Sequence, residues 1–241
     1  MRAALSFHGI DESGSVLSMS AGELASLVRG VRDAGHEIVP LAELLGEPET
    51  PDRVALTFDD GFHSVFEEAL PVLRAADAPA TLFLTTGFVG KDNGWPGQPA
   101  WAPRFPMLTW QEVEALHEAG WTIEAHTARH ADLRGLSDDQ LEDELAGADA
   151  ALEERLGRRP EGLAYPYGFH DVRVREKARS RYRFAVTTEL APLSRGRDDP
   201  MALPRLDSFY LRSPRLHRHF GGALLQGYLG ARRLLRRVRG R

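Results

Sequence analysis

Short apolar β-type runs alternate with longer helical patterns along most of the chain, and this order limits the possible folds more than any other feature. The predicted strands lie at residues 3–7, 54–58, 80–84, 121–125, 162–165, 181–188 and 203–206. Between them, apolar residues recur three or four positions apart, which is the spacing of an amphipathic helix. A βαβα order of this kind predicts an α/β fold with a parallel sheet, either open or closed into a barrel.

Capping signals support two of the predicted helices. Ser20 is followed three positions later by Glu23, and Thr109 by Glu112, which is the reciprocal pattern of a capping box. Residues 87–107 are instead rich in Gly and Pro, which predicts a long loop.

The absence of cysteine narrows the chemistry that the chain can use. The 241 residues include no Cys, which excludes disulfides, thiolate metal sites and a cysteine nucleophile. Any metal must therefore be held by histidine and carboxylate side chains. The length and the 42% hydrophobic content fit one large domain or two small ones with a closed core.

The apolar runs are too short to predict an export segment or a membrane span. The run at the N-terminus is too short for a signal peptide, and no stretch approaches the roughly 18 apolar residues that cross a bilayer. If Met1 is the native start, these features predict a cytoplasmic protein. Peripheral contact with the inner face of the membrane remains open because of the charge of the C-terminal segment.

The charge is distributed unevenly along the chain. No Asp or Glu follows Asp207, whereas nine arginines do, so the chain before Arg212 has 21 basic and 35 acidic residues. Apolar residues interleave with these arginines over residues 211–241, which predicts a basic amphipathic tail suited to an anionic membrane surface. A solubilising terminus and a helix docked on the acidic body are the alternatives. Nucleic-acid binding is not expected, because the body is acidic and aromatic interleaving is missing.

Polar clusters directly follow three of the predicted strands, at residues 59–60, 126–130 and 165–168. In parallel α/β folds, ligands bind beyond the carboxyl ends of the strands, so these clusters are candidate site residues. Asp59 and Asp60 are adjacent carboxylates, which at close range need a cation or a proton between them. The alternative is an ordinary strand-to-helix turn in which an Asp caps the helix.

His126 and His130 are four positions apart. On a helical turn this spacing would present two imidazoles on one face. Together with a carboxylate they would form a 2-His-1-carboxylate set, which leaves coordination positions open for water and substrate. Two surface histidines at the start of a helix are the alternative.

The motifs TFDDG at residues 57–61 and HTARH at residues 126–130 resemble those of the polysaccharide deacetylases of carbohydrate esterase family four. The similarity continues through shorter segments and covers about residues 3–210, most of the chain. The resemblance implies a single domain, a distorted (β/α) barrel over residues 1–210, followed by the basic tail over residues 211–241.

The resemblance also implies a reaction. Asp60, His126 and His130 would hold one divalent metal ion, with zinc expected and cobalt, nickel, manganese or iron as alternatives. Asp59 would be the general base in hydrolysis of an N-acyl group, expected to be acetyl, from an amino sugar in a glycan or lipid-linked saccharide. The metal and the backbone N–H of Tyr167 would stabilise the oxyanion.

Two departures from the family pattern change the expected auxiliary residues. Ala164 stands where many members have the Arg that orients the base, so Arg205 is the expected replacement, the alternative being a surface Arg at a strand edge. No late Leu-x-His motif supplies a general acid. His8, after the first predicted strand, is the candidate for that role, and His170 is the second. Contact with the substrate or with a catalytic residue is the alternative role for His8.

Residues around the predicted site could contact the sugar. Pro166 and Tyr167 form the turn after a predicted strand. Trp101 in the long loop is expected to stack on sugar rings as an apolar platform, as Trp95 could, and anchoring of the loop is the alternative role for both.

Other functions remain open at this point. A small-amide or ring-opening hydrolase could use the same fold. A non-catalytic carbohydrate-binding relative would usually lack a metal ligand or the base, and all four of those residues are present. A membrane-tethered scaffold would use the tail alone.

Overall fold

The computed structural model describes residues 1–46, 52–98, 102–194 and 196–238. The strands in these ranges are β1 (Ala3–Phe7), β2 (Gly9–Ile10), β3 (Ser18–Met19), β4 (Glu37–Ile38), β5 (Arg53–Phe58), β6 (Thr81–Leu84), β7 (Thr122–Ala125), β8 (Gly162–Ala164), β9 (Phe184–Leu190) and β10 (Leu203–Asp207). The α-helices are α1 (Ala21–Asp33), α2 (Leu41–Leu44), α3 (Leu70–Ala75), α4 (Trp110–Glu118), α5 (Asp138–Leu156), α6 (Val172–Arg179), α7 (Pro214–His217) and α8 (Ala223–Val238). Each predicted strand is confirmed to within a few residues.

A parallel barrel of seven strands forms the centre of the molecule, in the order β1-β5-β6-β7-β8-β9-β10. The ring closes because β1 pairs in parallel with both β5 and β10. β4 is an additional short strand on the amino-terminal part of β5. The structure thus confirms the expected α/β barrel and selects the closed arrangement over an open sheet.

The strands are buried on both faces, and successive residues contribute to different parts of the core. Leu5 and Phe7 belong to the larger apolar cluster, which includes the helices. Ala4 and Ala55 belong to a smaller cluster with Phe83 of the neighbouring β6. Because strand side chains alternate between faces, the small alanines share the inner face of the barrel.

The helices begin where the sequence predicts. Ser20 and Glu23 form a complete capping box at the start of α1, and Thr109 and Glu112 do the same at α4. None of the helices within the described ranges is long and apolar enough to cross a bilayer.

The chain after Tyr210 continues to pack on the barrel. Leu211, Phe220, Leu225 and Leu229 are buried in the larger apolar cluster. The first half of the predicted tail is therefore part of the folded body, and removal of all of residues 211–241 would expose that cluster to water.

We expect the contact between α1 and α7 to depend on Gly30. A Cβ at Gly30 would lie 2.5 Å from the carbonyl oxygen of His217. Gly30→Ala should therefore lower the free energy of unfolding by about 1–3 kcal/mol, measured by chemical denaturation. Gly22→Ala in the same helix is the control, since outside the backbone of that helix its Cβ would approach Ser20 Oγ at an ordinary 3.9 Å. Equal stability of the two variants would contradict this close approach.

Candidate active site

The three polar clusters meet at the carboxyl ends of the barrel strands. Asp59 and Asp60 follow β5, His126 follows β7, and Tyr167 lies in the turn after β8. These side chains and His8, which follows β1, line one cavity of about 230 Å³. Parallel strands end at the same edge of the barrel, which is why residues distant in sequence converge there.

Asp60, His126 and His130 form a buried group whose potential ligand atoms all lie within 4.8 Å of one another. Nε2 of His126 lies 3.2 Å from Asp60 Oδ1, and Nε2 of His130 lies 3.3 Å from the same oxygen. Burial opposes charge on Asp60, but the contacts with the two imidazoles outweigh it and hold the pKa of that carboxyl well below its usual range.

The donor set fits a divalent cation. Asp60 Oδ1 is buried and accepts no hydrogen bond of normal geometry, although two ring nitrogens are near it. Ligands held about 2.1 Å from a tetrahedral ion lie about 3.4 Å apart, close to the separations seen here. His126 Nδ1 donates to the carbonyl oxygen of Ala164 at 2.7 Å, which leaves Nε2 with its lone pair available for a metal.

The two histidines converge through an irregular turn, so the predicted helical turn is wrong. Thr127 and His130 both have positive φ, at 63° and 57°, and the segment has no helical residues. Thr127 Oγ1 accepts a hydrogen bond from the backbone N–H of His130. The buried carboxylate of Glu144, on α5, accepts hydrogen bonds from the backbone N–H and the Nε–H of Arg129. Tertiary contacts therefore shape this turn.

Arg205 pairs with Asp59 inside the barrel. Its two terminal nitrogens donate to Oδ1 and Oδ2 of Asp59 at 2.7 and 2.6 Å, in a bidentate arrangement. Arg205 also donates to Thr57 Oγ1 and to the carbonyl oxygen of Thr187. Both charged groups are buried. Burial disfavours charge on Asp59, but the neighbouring guanidinium outweighs this effect and lowers the pKa of the carboxyl.

Loss of this ion pair should destabilise the fold strongly. We expect Arg205→Leu to lower the free energy of unfolding by about 3–5 kcal/mol, because it leaves the Asp59 carboxylate buried without its partner. Arg183→Leu is the control, since the Arg183–Glu161 pair is largely exposed and its loss should cost at most about 1 kcal/mol. An equal decrease in the free energy of unfolding of the two variants would contradict a buried ionised pair.

The structure separates the two candidate general acids. His8 Nε2 lies 4.0 Å from Asp59 Oδ2, and the ring is partly exposed in the cavity. His170 packs instead against Tyr165, with ring centroids 5.0 Å apart. His8 is thus adjacent to the carboxylate pair.

Aromatic rings surround His130. Trp95 is buried and packs against the imidazole, with ring centroids 4.2 Å apart. Tyr167 meets the same imidazole edge-on at 4.6 Å, in the turn that begins with Pro166. Trp101 lies outside the described residues. Trp95 therefore forms a wall of the metal-site candidate and anchors its loop there.

The sequence did not point to three residues that contribute to the site. Val16 and Leu17, between β2 and β3, line the cavity, yet nothing in their local pattern distinguishes them from other loop residues. Glu144 is one acid among many in a polar helix, and only its complete burial marks it. In the sequence, a charged residue on the inward-facing side of the predicted helix is the signal that could have identified Glu144.

Several known proteins have sequences similar to this one. Residues 46–182 match the family model described as polysaccharide deacetylase. The chain is 26% identical over 197 residues to a putative polysaccharide deacetylase, YxkH, of Bacillus subtilis (strain 168), covering 79% of this chain and 66% of that protein. It is 26% identical over 188 residues to a poly-β-1,6-N-acetyl-D-glucosamine N-deacetylase of Staphylococcus aureus (strain N315), covering 70% and 61%. The chain thus spans just under two thirds of the length of these relatives.

Solved structures show the same fold. IcaB from Ammonifex degensii matches with a TM-score of 0.73 and 26% identity, covering 90% of this chain and 96% of that one. The Streptococcus pyogenes deacetylase PplD, in complex with acetate, matches with a TM-score of 0.76 and 23% identity, covering 93% and 96%. Since the family model matches more than half of the sequence and the barrel is shared, the chain belongs to the polysaccharide deacetylase family.

Proposed function

We propose that this protein is a metal-dependent N-deacetylase that removes the acetyl group from an N-acetylated amino sugar of a glycan or lipid-linked saccharide. The observation that carries the proposal is the placement of the Asp60, His126 and His130 cluster directly beside the Arg205-paired carboxylate of Asp59. One group can hold a cation and the other can take a proton, and both line the same cavity.

A divalent ion held by Asp60, His126 and His130 would polarise the amide carbonyl and acidify a water molecule. Asp59 would accept the proton of the attacking water. Arg205 keeps this carboxylate ionised and fixes its plane, and each Asp59 oxygen retains a further lone pair for that proton. The base is therefore oriented before substrate arrives.

His8 is the proposed general acid. It lies at the cavity beside Asp59, where a protonated imidazole could give its proton to the amine as the C–N bond breaks. The backbone N–H of Tyr167 is the proposed donor to the oxyanion, beside Pro166 in the turn after β8. The products are an amino sugar and acetate.

The relatives support a glycan as the substrate class. The Staphylococcus aureus proteins are described as acting on poly-β-1,6-N-acetyl-D-glucosamine. All of the proposed ligands and the base are present in this chain, which favours catalysis over carbohydrate binding alone.

A substrate panel tests the proposal. Purified protein supplied with zinc or cobalt would be incubated with N-acetylated and N-formylated oligosaccharides, both free and lipid-linked, and with small amides. We expect release of acetate with an equal amount of free amine from an N-acetylated saccharide. Turnover of small amides alone would contradict the proposed substrate and support the small-amide hydrolase.

A further inference from the structure

Helix α8 has two apolar stripes, and the barrel covers one of them. Leu225 and Leu229 lie on one side of the helix and are buried in the main core. Leu234, Leu235 and Val238 lie near its end and are 64%, 46% and 78% exposed. At 100° per residue, Leu235 and Val238 fall well away from the Leu225–Leu229 stripe, so the fold leaves a second apolar surface in solvent.

The exposed end of α8 lies at the same end of the barrel as the candidate active site. Gly221, just before α8, is close to His36, which precedes β4 at the amino-terminal end of β5. Nine residues into α8, the guanidinium of Arg232 lies 5.8 Å from the ring of Tyr210, which follows the carboxyl end of β10. The helix therefore runs from the amino end of the barrel to the cavity end.

Other exposed apolar side chains lie at this end of the barrel, and two of them, Val16 and Tyr167, line the cavity. Val16, Tyr167, Phe169 and Phe209 lie in segments that follow barrel strands, and each is substantially exposed. Arg212 joins two of these segments, because it packs over the Phe209 ring and donates to the backbone carbonyl oxygens of Ser15 and Ser18. The cavity end of the barrel thus carries exposed apolar side chains in several segments.

The charged side chains of α8 all have one sign. Arg233 is exposed and directly precedes Leu234 and Leu235, Arg232 packs over the rings of Tyr210 and Tyr228, and no acidic residue follows Asp207 in the sequence. An apolar stripe beside arginines suits the headgroup region of an anionic bilayer, which accepts both kinds of side chain. A symmetric contact between two copies would bring two cationic helix ends together without acidic partners, and nucleic acid would leave the leucines exposed.

We propose that the end of α8 docks this protein on an anionic membrane surface with the cavity end of the barrel toward the lipid. This orientation presents the proposed active site to saccharides held at the membrane. The docking surface consists of Leu234, Leu235, Val238 and Arg233.

Vesicle co-sedimentation of the full chain tests the docking surface. The vesicles are phosphatidylcholine alone, or equal parts of phosphatidylcholine and phosphatidylglycerol. We expect binding to the anionic vesicles, weakened by added salt, and little binding to the neutral ones. Leu234→Gln/Leu235→Gln should weaken binding by at least about tenfold, since two leucines no longer enter the bilayer interface.

Leu224→Gln is the matched control. Leu224 is 56% exposed on the same helix but lies at the opposite end of the barrel, so this variant should bind as the unchanged protein does. Thermal unfolding of each variant checks that the fold is retained. Absence of binding by the unchanged protein, or equal loss in both variants, would overturn the proposal.

Sedimentation of the protein without lipid tests the alternative that a second copy of the chain covers the exposed stripe. A dimer that the Leu234→Gln/Leu235→Gln variant dissociates would assign the stripe to a second copy and overturn membrane docking. Vesicle binding is measured without catalysis, so its failure is distinguishable from failure of the proposed deacetylation.

Discussion

Asp59→Asn is expected to lower kcat by about 10³-fold while leaving the bound metal in place. The amide has nearly the shape of the carboxylate but cannot accept the proton of an attacking water, and loss of a general base costs about 10²–10⁴-fold. Asp59 is outside the Asp60, His126 and His130 cluster, so metal content should be unchanged. Steady-state kinetics and elemental analysis on the same preparation measure both quantities.

The buried ion pair requires a control for this variant. Asn at position 59 leaves the Arg205 guanidinium without its anion, so the variant should also be less stable. Thr57→Val is the comparison, because it removes one acceptor of Arg205 and keeps the Asp59 carboxylate. Thr57 Oγ1 also donates to the carbonyl oxygen of Leu5, so this variant loses two hydrogen bonds, only one of which holds Arg205. That bond is worth about 1 kcal/mol, so we expect kcat to stay within about tenfold. If Asp59→Asn kept a similar rate, another group would have to be the base.

The strand positions could be predicted because their physical cause is local. Apolar runs such as residues 54–58 must be buried on both faces of a parallel sheet, and helix caps such as Ser20 satisfy backbone groups within one turn. The clusters after the strands could be placed at one end of the barrel for the same reason. Closure of the barrel depends on the pairing of β1 with both β5 and β10, which no local pattern specifies.

The details of the site depend on contacts between distant segments. A spacing of four residues fits both a helix and an irregular turn, and the turn between the histidines is held by Glu144 from α5. The position of Arg205 against Asp59 requires the register of β10 and β5 across the barrel. The resemblance implies an arginine in many members where this chain has Ala164, and so predicts a replacement cation. Only the strand pairing determines that Arg205 is the cation that reaches Asp59.

His126→Ala is expected to remove the metal and with it the activity. The unchanged protein should contain about one divalent ion per chain, and the variant less than about a tenth of that, because loss of one of three protein ligands leaves a weak site. The imidazole is held in the position of a ligand, since its Nδ1–H donates to the Ala164 carbonyl oxygen and its ring is buried.

His8→Ala is the control that separates the effect of losing the metal from the effect of losing another side chain of the cavity. His8 lines the same cavity but is outside the ligand cluster, so this variant should keep its metal and lose rate through the missing general acid. Elemental analysis after dialysis, with kinetics before and after chelation, separates the two variants. Full activity of chelated, metal-free protein would contradict the assignment of Asp60, His126 and His130 as ligands of a catalytic ion. Loss of metal from both variants would instead extend the ligand set to His8, which would then need another residue as the acid.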